Sequence, residues 1–250
     1  MKQPPVRPPI PNPKHTTFLQ EGNSLLNEEI EIAVTQGENT VILKQKDIVD
    51  LFHQLYYNSR VWENTYYYGY PVLKCPLDLW IYEEMIVELR PDFIIETGTF
   101  LGASALYMAL ACDMVNIGKV ITIDIQERPD RPPHPRITYL TGSSVDEGIL
   151  KTVRATVGEG KKVMVILDSD HSKEHVYNEM KAFHSIVSVG SYLIVEDTDV
   201  NGHPVRPDFG PGPMEAIAAF LSENQNFVVD TRREKFLMTQ NPNGFLKRVK

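Results

Sequence analysis

From residue 77 onward the chain alternates between short, almost continuous apolar runs and longer amphipathic stretches. The apolar runs are FIIET (93–97), KVITIDI (119–125), RITYLTG (136–142), VMVILD (163–168) and YLIVED (192–197). They are too short for buried helices and rich in β-branched residues, which predicts strands covered on both faces. LDLWIYEEMIVELR, ASALYMALAC (103–112) and EHVYNEMKAFHSIV (174–187) predict helices between them, the first stopping before Pro91. Strands alternating with helices make a parallel sheet with helices on both sides, an α/β fold. The tail breaks this rhythm: NFVVDTRR and KFLMTQNPNGFLKRV read as extended segments turning at Asn243-Gly244, an antiparallel hairpin finishing the sheet.

The first 75 residues carry a different pattern. Residues 1–13 hold six prolines, which predicts a proline-rich, extended arm over 1–14. Residues 15–75 read as a helical and aromatic cap, and 76–250 as the main domain. Within the cap, KDIVDLFHQLYYNSR places Ile48, Leu51, Phe52 and Leu55 at helical spacing. VWENTYYYGYPVLKCPLDLW then packs six aromatics into twenty residues. Such a segment either caps the core or walls a pocket, since Tyr and Trp pair an apolar face with a hydrogen-bonding tip.

Composition narrows the function. A net charge of −8 argues against nucleic acid as the main partner, because phosphate binding needs concentrated Lys and Arg. No apolar run is long enough to span a bilayer, and MKQPPVRPPIPNP lacks the apolar segment of a secretory signal. The two cysteines, Cys75 and Cys112, are too few for a disulfide framework or a cysteine-ligated zinc site. The expectation is a cytoplasmic protein with a small, neutral or cationic ligand, with neither membrane nor nucleic acid as partner.

Two sets of acids give the chemistry. FIIETGTFLGASALYMA reads as strand, acid, glycine turn and helix, the place where an open parallel sheet binds ligands. Gly98 and Gly102 allow a tight turn and close backbone approach. Their Gly-x-x-x-Gly spacing is not the dinucleotide fingerprint, and Glu96 would repel a pyrophosphate. Asp124, ending the next strand, suits a ribose diol. Together these features point to an adenosine cofactor with an amino-acid tail, S-adenosylmethionine, and away from NAD.

The second set is LDSDHS (167–172) and IVEDTD (194–199). Two neighbouring strands ending in Asp168 and in Glu196-Asp197 would gather carboxylates that repel unless a cation neutralises them. Hard oxygen donors favour Mg²⁺, with Mn²⁺ or Ca²⁺ as substitutes. Asp170 competes with Asp168 as the ligand. His171 and His175 form His-x-x-x-His, which on one helix face would suit zinc instead. The Gly- and Pro-rich stretch 198–213 predicts a lid or substrate wall, with His203, Arg206 and Asp208 as contacts, before a helix opening at Pro213.

PDFIIETGTFLGASALYMA, LDSDHSKEHV, GSYLIVEDTDVNGHP and PDFGPGPMEAI, in this order, resemble the CmcI-like family named after cephalosporin hydroxylase. Those proteins are Rossmann-like, metal-assisted, S-adenosylmethionine-dependent O-methyltransferases, and the resemblance covers about residues 60–250. It implies that Glu96, Thr97, Gly98 and Gly102 receive the methionine end, with Ser104 on its carboxylate. Asp124 would hold the ribose, and Ser143 and Ser144 the adenine edge. It implies a metal aspartate three residues before the base, which selects Asp168 beside the cofactor, with Glu196 and Asp197 as the other ligands and His171 as general base.

The expected function is therefore Mg²⁺-dependent methylation of a hydroxyl on a small molecule with neighbouring hydroxyls, such as a sugar or natural-product scaffold. A homo-oligomer is expected from the proline arm and aromatic cap. A hydrolase or oxygenase built on the acid cluster would work without S-adenosylmethionine, and a cofactor-binding scaffold would bind it without turnover.

Overall fold

The computed structural model describes residues 30–36 and 38–250, so the expected proline arm lies outside the described residues. The described part of the cap opens with β1 (Glu31–Gln36) and β2 (Asn39–Lys44), an antiparallel hairpin, followed by α1 (Gln45–Asn58). A short hairpin, β3 (Tyr66–Tyr67) with β4 (Tyr70–Pro71), ends the aromatic segment.

The main sheet is made by β5 (Phe93–Thr97), β6 (Lys119–Asp124), β7 (Ile137–Thr141), β8 (Val163–Leu167), β9 (Tyr192–Val195), β10 (Phe227–Val229) and β11 (Phe245–Arg248). Their order across the sheet is β10-β11-β9-β8-β5-β6-β7. The run β9-β8-β5-β6-β7 is parallel, whereas β11 is antiparallel to both β9 and β10. This is a Rossmann-like α/β fold, with the chain reversing direction across the sheet between β5 and β8. At such a switch point the loops after the two strands part and leave a crevice.

The β period explains the two-sided core. In β5, Ile94 packs with Val120, Met164 and Ile194 beneath α2 (Pro76–Leu89) and α3 (Ala103–Val115). Its neighbour Ile95 points the other way, to Ile121, Val165 and Leu193 beneath α4 (Glu147–Val157), α5 (Lys173–Phe183) and α6 (Pro213–Glu223). Helix starts follow ordinary rules: Pro76 and Pro213 occupy first-turn positions where a missing N–H costs nothing. The Glu215 carboxylate reaches back to the Gly212 N–H at 2.7 Å.

Two details differ from the sequence reading. α4 was not among the expected helices; its start is marked by Asp146, whose side chain accepts from Gly148 and Ile149 N–H. The tail strands do pair antiparallel, but Asn243-Gly244 is not their connecting turn. A 3-10 turn (Thr231–Glu234) and an irregular segment intervene, because residues 239–241 are diverted to hold the buried Asp78 and Tyr82 of α2.

Candidate active site

The loops that end β5, β6, β8 and β9 open into one cavity of about 710 Å³, within the usual range for small-molecule sites. One wall is the glycine turn after β5. Gly98 has φ of +82°, and a Cβ there would lie 1.7 Å from the Asp168 carbonyl oxygen. Only glycine lets this turn and the acid-bearing end of β8 pack against each other. Gly98, Gly102, Ser104, Asp124, Ser143 and Ser144 all line the cavity.

Glu96 and Thr97 sit behind that turn, fully buried, and do not line the cavity. Glu96 Oε2 accepts from Thr122 Oγ1 at 2.6 Å, while its Oε1 is buried with no hydrogen-bond partner. Burial pushes the Glu96 carboxyl up to about 7 despite the nearby Lys74 ammonium. The Asp124 carboxylate accepts from Phe100 N–H and Gln126 N–H, both at 2.8 Å, and pairs with Arg131 at 3.0 Å. Arg131 also donates to the Phe100 and Gln126 carbonyls, tying the two turns that flank Asp124.

The second wall carries the acids. Asp168, just after β8, and Asp197, just after β9, face each other across His171. His171 Nε2 lies 3.3 Å from Asp168 Oδ1, and its Nδ1 lies 3.2 Å from Asp197 Oδ2. Donor atoms of these three residues all fall within 4.8 Å of one another. Asp197 holds a left-handed backbone (φ 53°) that aims its carboxylate inward, steadied by a 3.0 Å bond from its N–H to Asn241 Oδ1. Burial pulls the His171 imidazole down, but Asp197 and Asp168 outweigh it and push it up to about 10.

Glu196 approaches the same cluster from beneath and is met by a residue that the sequence reading missed. Lys74, from the segment before α2, is 3% exposed and donates to Asp168 Oδ2 and Glu196 Oε1, each at 2.6 Å. Burial alone would neutralise its amine, but Asp168, Glu196 and Glu96 hold it charged and above the ordinary lysine range. Burial and the Asp168 charge raise the Glu196 carboxyl to about 8. The sequence signal for Lys74 was a lone Lys inside the apolar stretch PVLKCPL.

Other expected contacts sort by geometry. Asp170 is exposed and its Oδ1 takes the Ser172 N–H, at the start of α5. His171 precedes α5, so it shares no helix face with His175, whose Nε2 lies 3.1 Å from Ser169 Oγ and 3.4 Å from Glu179 Oε1. In the 198–213 stretch, Arg206 and Phe209 line the cavity, with the Arg206 guanidinium 5.2 Å from the Phe209 ring centre. His203 is instead held by Glu215 at 2.8 Å, and neither it nor Asp208 reaches the cavity. Opposite stand Tyr57 of α1 and Trp62, their rings 5.5 Å apart; Trp62 Nε1–H donates to the Tyr57 carbonyl at 3.0 Å. The aromatic segment thus serves both expected roles, since Tyr67 and Tyr70 pack on the core.

The donor set fits the groups expected of it. Asp168, Asp197 and His171 offer hard oxygen and imidazole donors close enough to share one divalent ion. The cavity volume and the turn that excludes a side chain at Gly98, with the unpartnered Glu96 Oε1 buried behind it, fit a nucleoside with an amino-acid tail.

A family model described as rhamnosyl O-methyltransferase/CmcI matches residues 59–249. The chain is 42% identical over 210 residues to the rhamnosyl O-methyltransferase of Mycobacterium tuberculosis (strain ATCC 25618 / H37Rv), covering 80% of this chain and 85% of that one. It is 40% identical over 209 residues to the rhamnosyl O-methyltransferase of Mycobacterium leprae (strain TN), covering 80% and 90%. Among solved structures, that of CmcI with magnesium and S-adenosylmethionine superposes with a TM-score of 0.57 and 25% identity, over 75% of this chain and 78% of that one.

Proposed function

The chain belongs to the rhamnosyl O-methyltransferase/CmcI family and is an S-adenosylmethionine-dependent O-methyltransferase; on that basis we propose that it methylates a sugar hydroxyl with a neighbouring hydroxyl, aided by Mg²⁺. The observation that carries this reading is that the Gly98 turn and the Asp168–His171–Asp197 cluster open into one cavity. A cofactor and a chelated acceptor can therefore meet there.

In this reading the chain binds its methyl donor between the β5 and β6 loops. Gly98 and Gly102 give backbone access, and Ser104 takes the methionine carboxylate. Thr97 holds the turn through its bond from the Asp168 N–H at 3.3 Å. Glu96, buried behind the turn with its Oε1 unpartnered, would take up negative charge as the methionine ammonium settles over the turn. Asp124, oriented by Arg131, accepts from the ribose diol, and Ser143 and Ser144 border the adenine. S-adenosylmethionine supplies a methyl group on a sulfonium, whose C–S bond breaks as the new O–C bond forms and leaves a neutral thioether, so an aligned nucleophile suffices.

Asp168 and Asp197 would hold the Mg²⁺, with Glu196 sharing its charge from below through Lys74. Bound there, the ion would acidify a chelated hydroxyl and offset the field of the two aspartates that keeps His171 protonated. His171, held between the two acids, would take the acceptor proton as general base on a ring nitrogen that has lost its own proton. Tyr57, Trp62, Arg206 and Phe209 form the wall on which the sugar and its attached group rest. The apolar side chains left exposed on the cap, among them Ile32, Val34, Ile42, Leu51 and Phe52, support a homo-oligomer that forms through it.

Incubation with S-adenosylmethionine and methyl α-L-rhamnoside tests the reading by mass spectrometry. A product heavier by one methylene, lost on chelation and restored by Mg²⁺, is expected. Undiminished turnover in chelator would remove the metal from the mechanism. Binding of S-adenosylmethionine with no turnover across a panel of rhamnosides would remove the sugar acceptor.

A further inference from the structure

Lys74 is an unusual residue to find beneath a cation site. It is 3% exposed, it comes from outside the sheet, and its ammonium touches two carboxylates of the cluster at 2.6 Å each. Burying a lysine in apolar surroundings costs several kcal/mol, and docking of the 72–75 segment does not need one. Val72 and Cys75 already pack in the core, and the Cys75 N–H donates to Gln240 Oε1 at 3.1 Å. The need for Lys74 comes from the acids.

The charges explain why. Asp168, Glu196 and Asp197 carry three negative charges when ionised, and Glu96 lies close enough to act on Lys74 as well. Three such carboxylates side by side would take up protons, and each added negative charge favours a trivalent ion more than a divalent one. With His171 neutral, as a base must be, one fixed ammonium against the three ionised carboxylates leaves a net charge of −2, which a single divalent ion balances. The ammonium also occupies the Asp168 oxygen that faces away from His171, so Oδ1 is the oxygen presented to the cavity side of the cluster.

We propose that Lys74 is a positioning residue that sets both the charge and the oxygen orientation of the carboxylate cluster, making it a site for a divalent ion over a trivalent one. This rests on the cation reading given above. It deepens that reading by assigning the selectivity to a residue of the cap segment that is not itself a ligand. A purely structural lysine would affect folding and affinity for all cations alike. A charge-setting lysine changes their ratio.

The test compares Mg²⁺ with Tb³⁺ on chelator-treated full-length protein, by calorimetry and by terbium luminescence. In Lys74→Met the Tb³⁺ affinity should rise relative to Mg²⁺ by at least tenfold, while Lys74→Arg keeps the wild-type ratio. A unit charge about 4 Å away at an effective dielectric of ~20 is easily strong enough for such a change. A folded Lys74→Met protein with an unchanged ratio overturns the proposal. If Lys74→Met does not fold, the pair Glu196→Gln and Lys74→Met/Glu196→Gln carries the test, since the double variant restores the net charge. Its Mg²⁺ affinity should exceed that of Glu196→Gln at least tenfold, and equal affinities would overturn the proposal. Wild-type protein that takes up neither ion refutes the cation reading itself, a separate failure.

Discussion

His53 Nε2 of α1 lies 2.8 Å from Asp199 Oδ2, two residues beyond the site acid Asp197, and both side chains are buried. The pair joins the cap to the loop that lines the cavity. The Asp199 carbonyl accepts from His203 and Val205 N–H, so the loop folds around this residue. One turn after His53 on the same helix face stands Tyr57, a cavity wall. Removing His53 alone strands a buried carboxylate. His53→Ala should lose about 3–5 kcal/mol in urea unfolding. The double variant His53→Leu/Asp199→Val, which leaves no lone charge, should lose less than either single one. A double loss equal to the sum of the singles would show that the two residues do not act as a pair.

His171→Ala should leave S-adenosylmethionine affinity within a factor of a few of wild type, because His171 belongs to the acid wall. Turnover should fall by about 10²–10⁴, the usual worth of a general base. Calorimetry and a methyl-transfer assay on the same preparation check both. Loss of cofactor binding together with turnover would assign His171 a structural role.

Gly98 and Gly158 share a positive φ but differ in their surroundings. A Cβ on Gly98 meets the Asp168 carbonyl at 1.7 Å, whereas one on Gly158 meets nothing within 4 Å. Gly158→Ala should therefore cost only the strain of its glycine-favouring backbone (φ 71°, ψ −172°), about 1–3 kcal/mol. Gly98→Ala should cost about 3 kcal/mol or more and abolish cofactor binding. Urea midpoints and calorimetric titration of S-adenosylmethionine give the comparison.

The buried Glu96 carboxyl makes stability fall as pH rises. Burial raises it from the ordinary 4.5 to about 7 in the folded chain. Between those values the folded state holds a proton that the unfolded state has released. Its contribution is complete below about 4.5 and lost as pH passes about 7. That gap corresponds to on the order of 3 kcal/mol. Relative to Glu96→Gln, the wild type should become steadily less stable from pH 4.5 to 7.5 in denaturation series. Parallel curves for the two proteins would show that Glu96 does not titrate in this window.

The strands and their acids were legible because a strand buried on both faces writes a continuous apolar run. FIIET became β5 residue for residue, and Asp124, Asp168, Glu196 and Asp197 fell at strand ends. What sequence left hidden depends on distant contacts. Lys74 lies 94 and 122 residues from its two partners, and His53 lies 146 from Asp199, so no local pattern announces either pair. Placing β11 between β9 and β10 is equally non-local: an Asn-Gly turn marks a reversal, but does not say which strands it joins.

That placement bears on how the protein is made. β11 is hydrogen-bonded on both sides, and Phe245 and Leu246 are fully buried. Just before it, Asn241 holds the Asp197 N–H, and Gly244 holds that of Val195. The acids at 196 and 197 therefore leave the ribosome some forty residues before the segment that aims them. Until that segment arrives, β9 is a free sheet edge facing solvent, open to pairing with other chains.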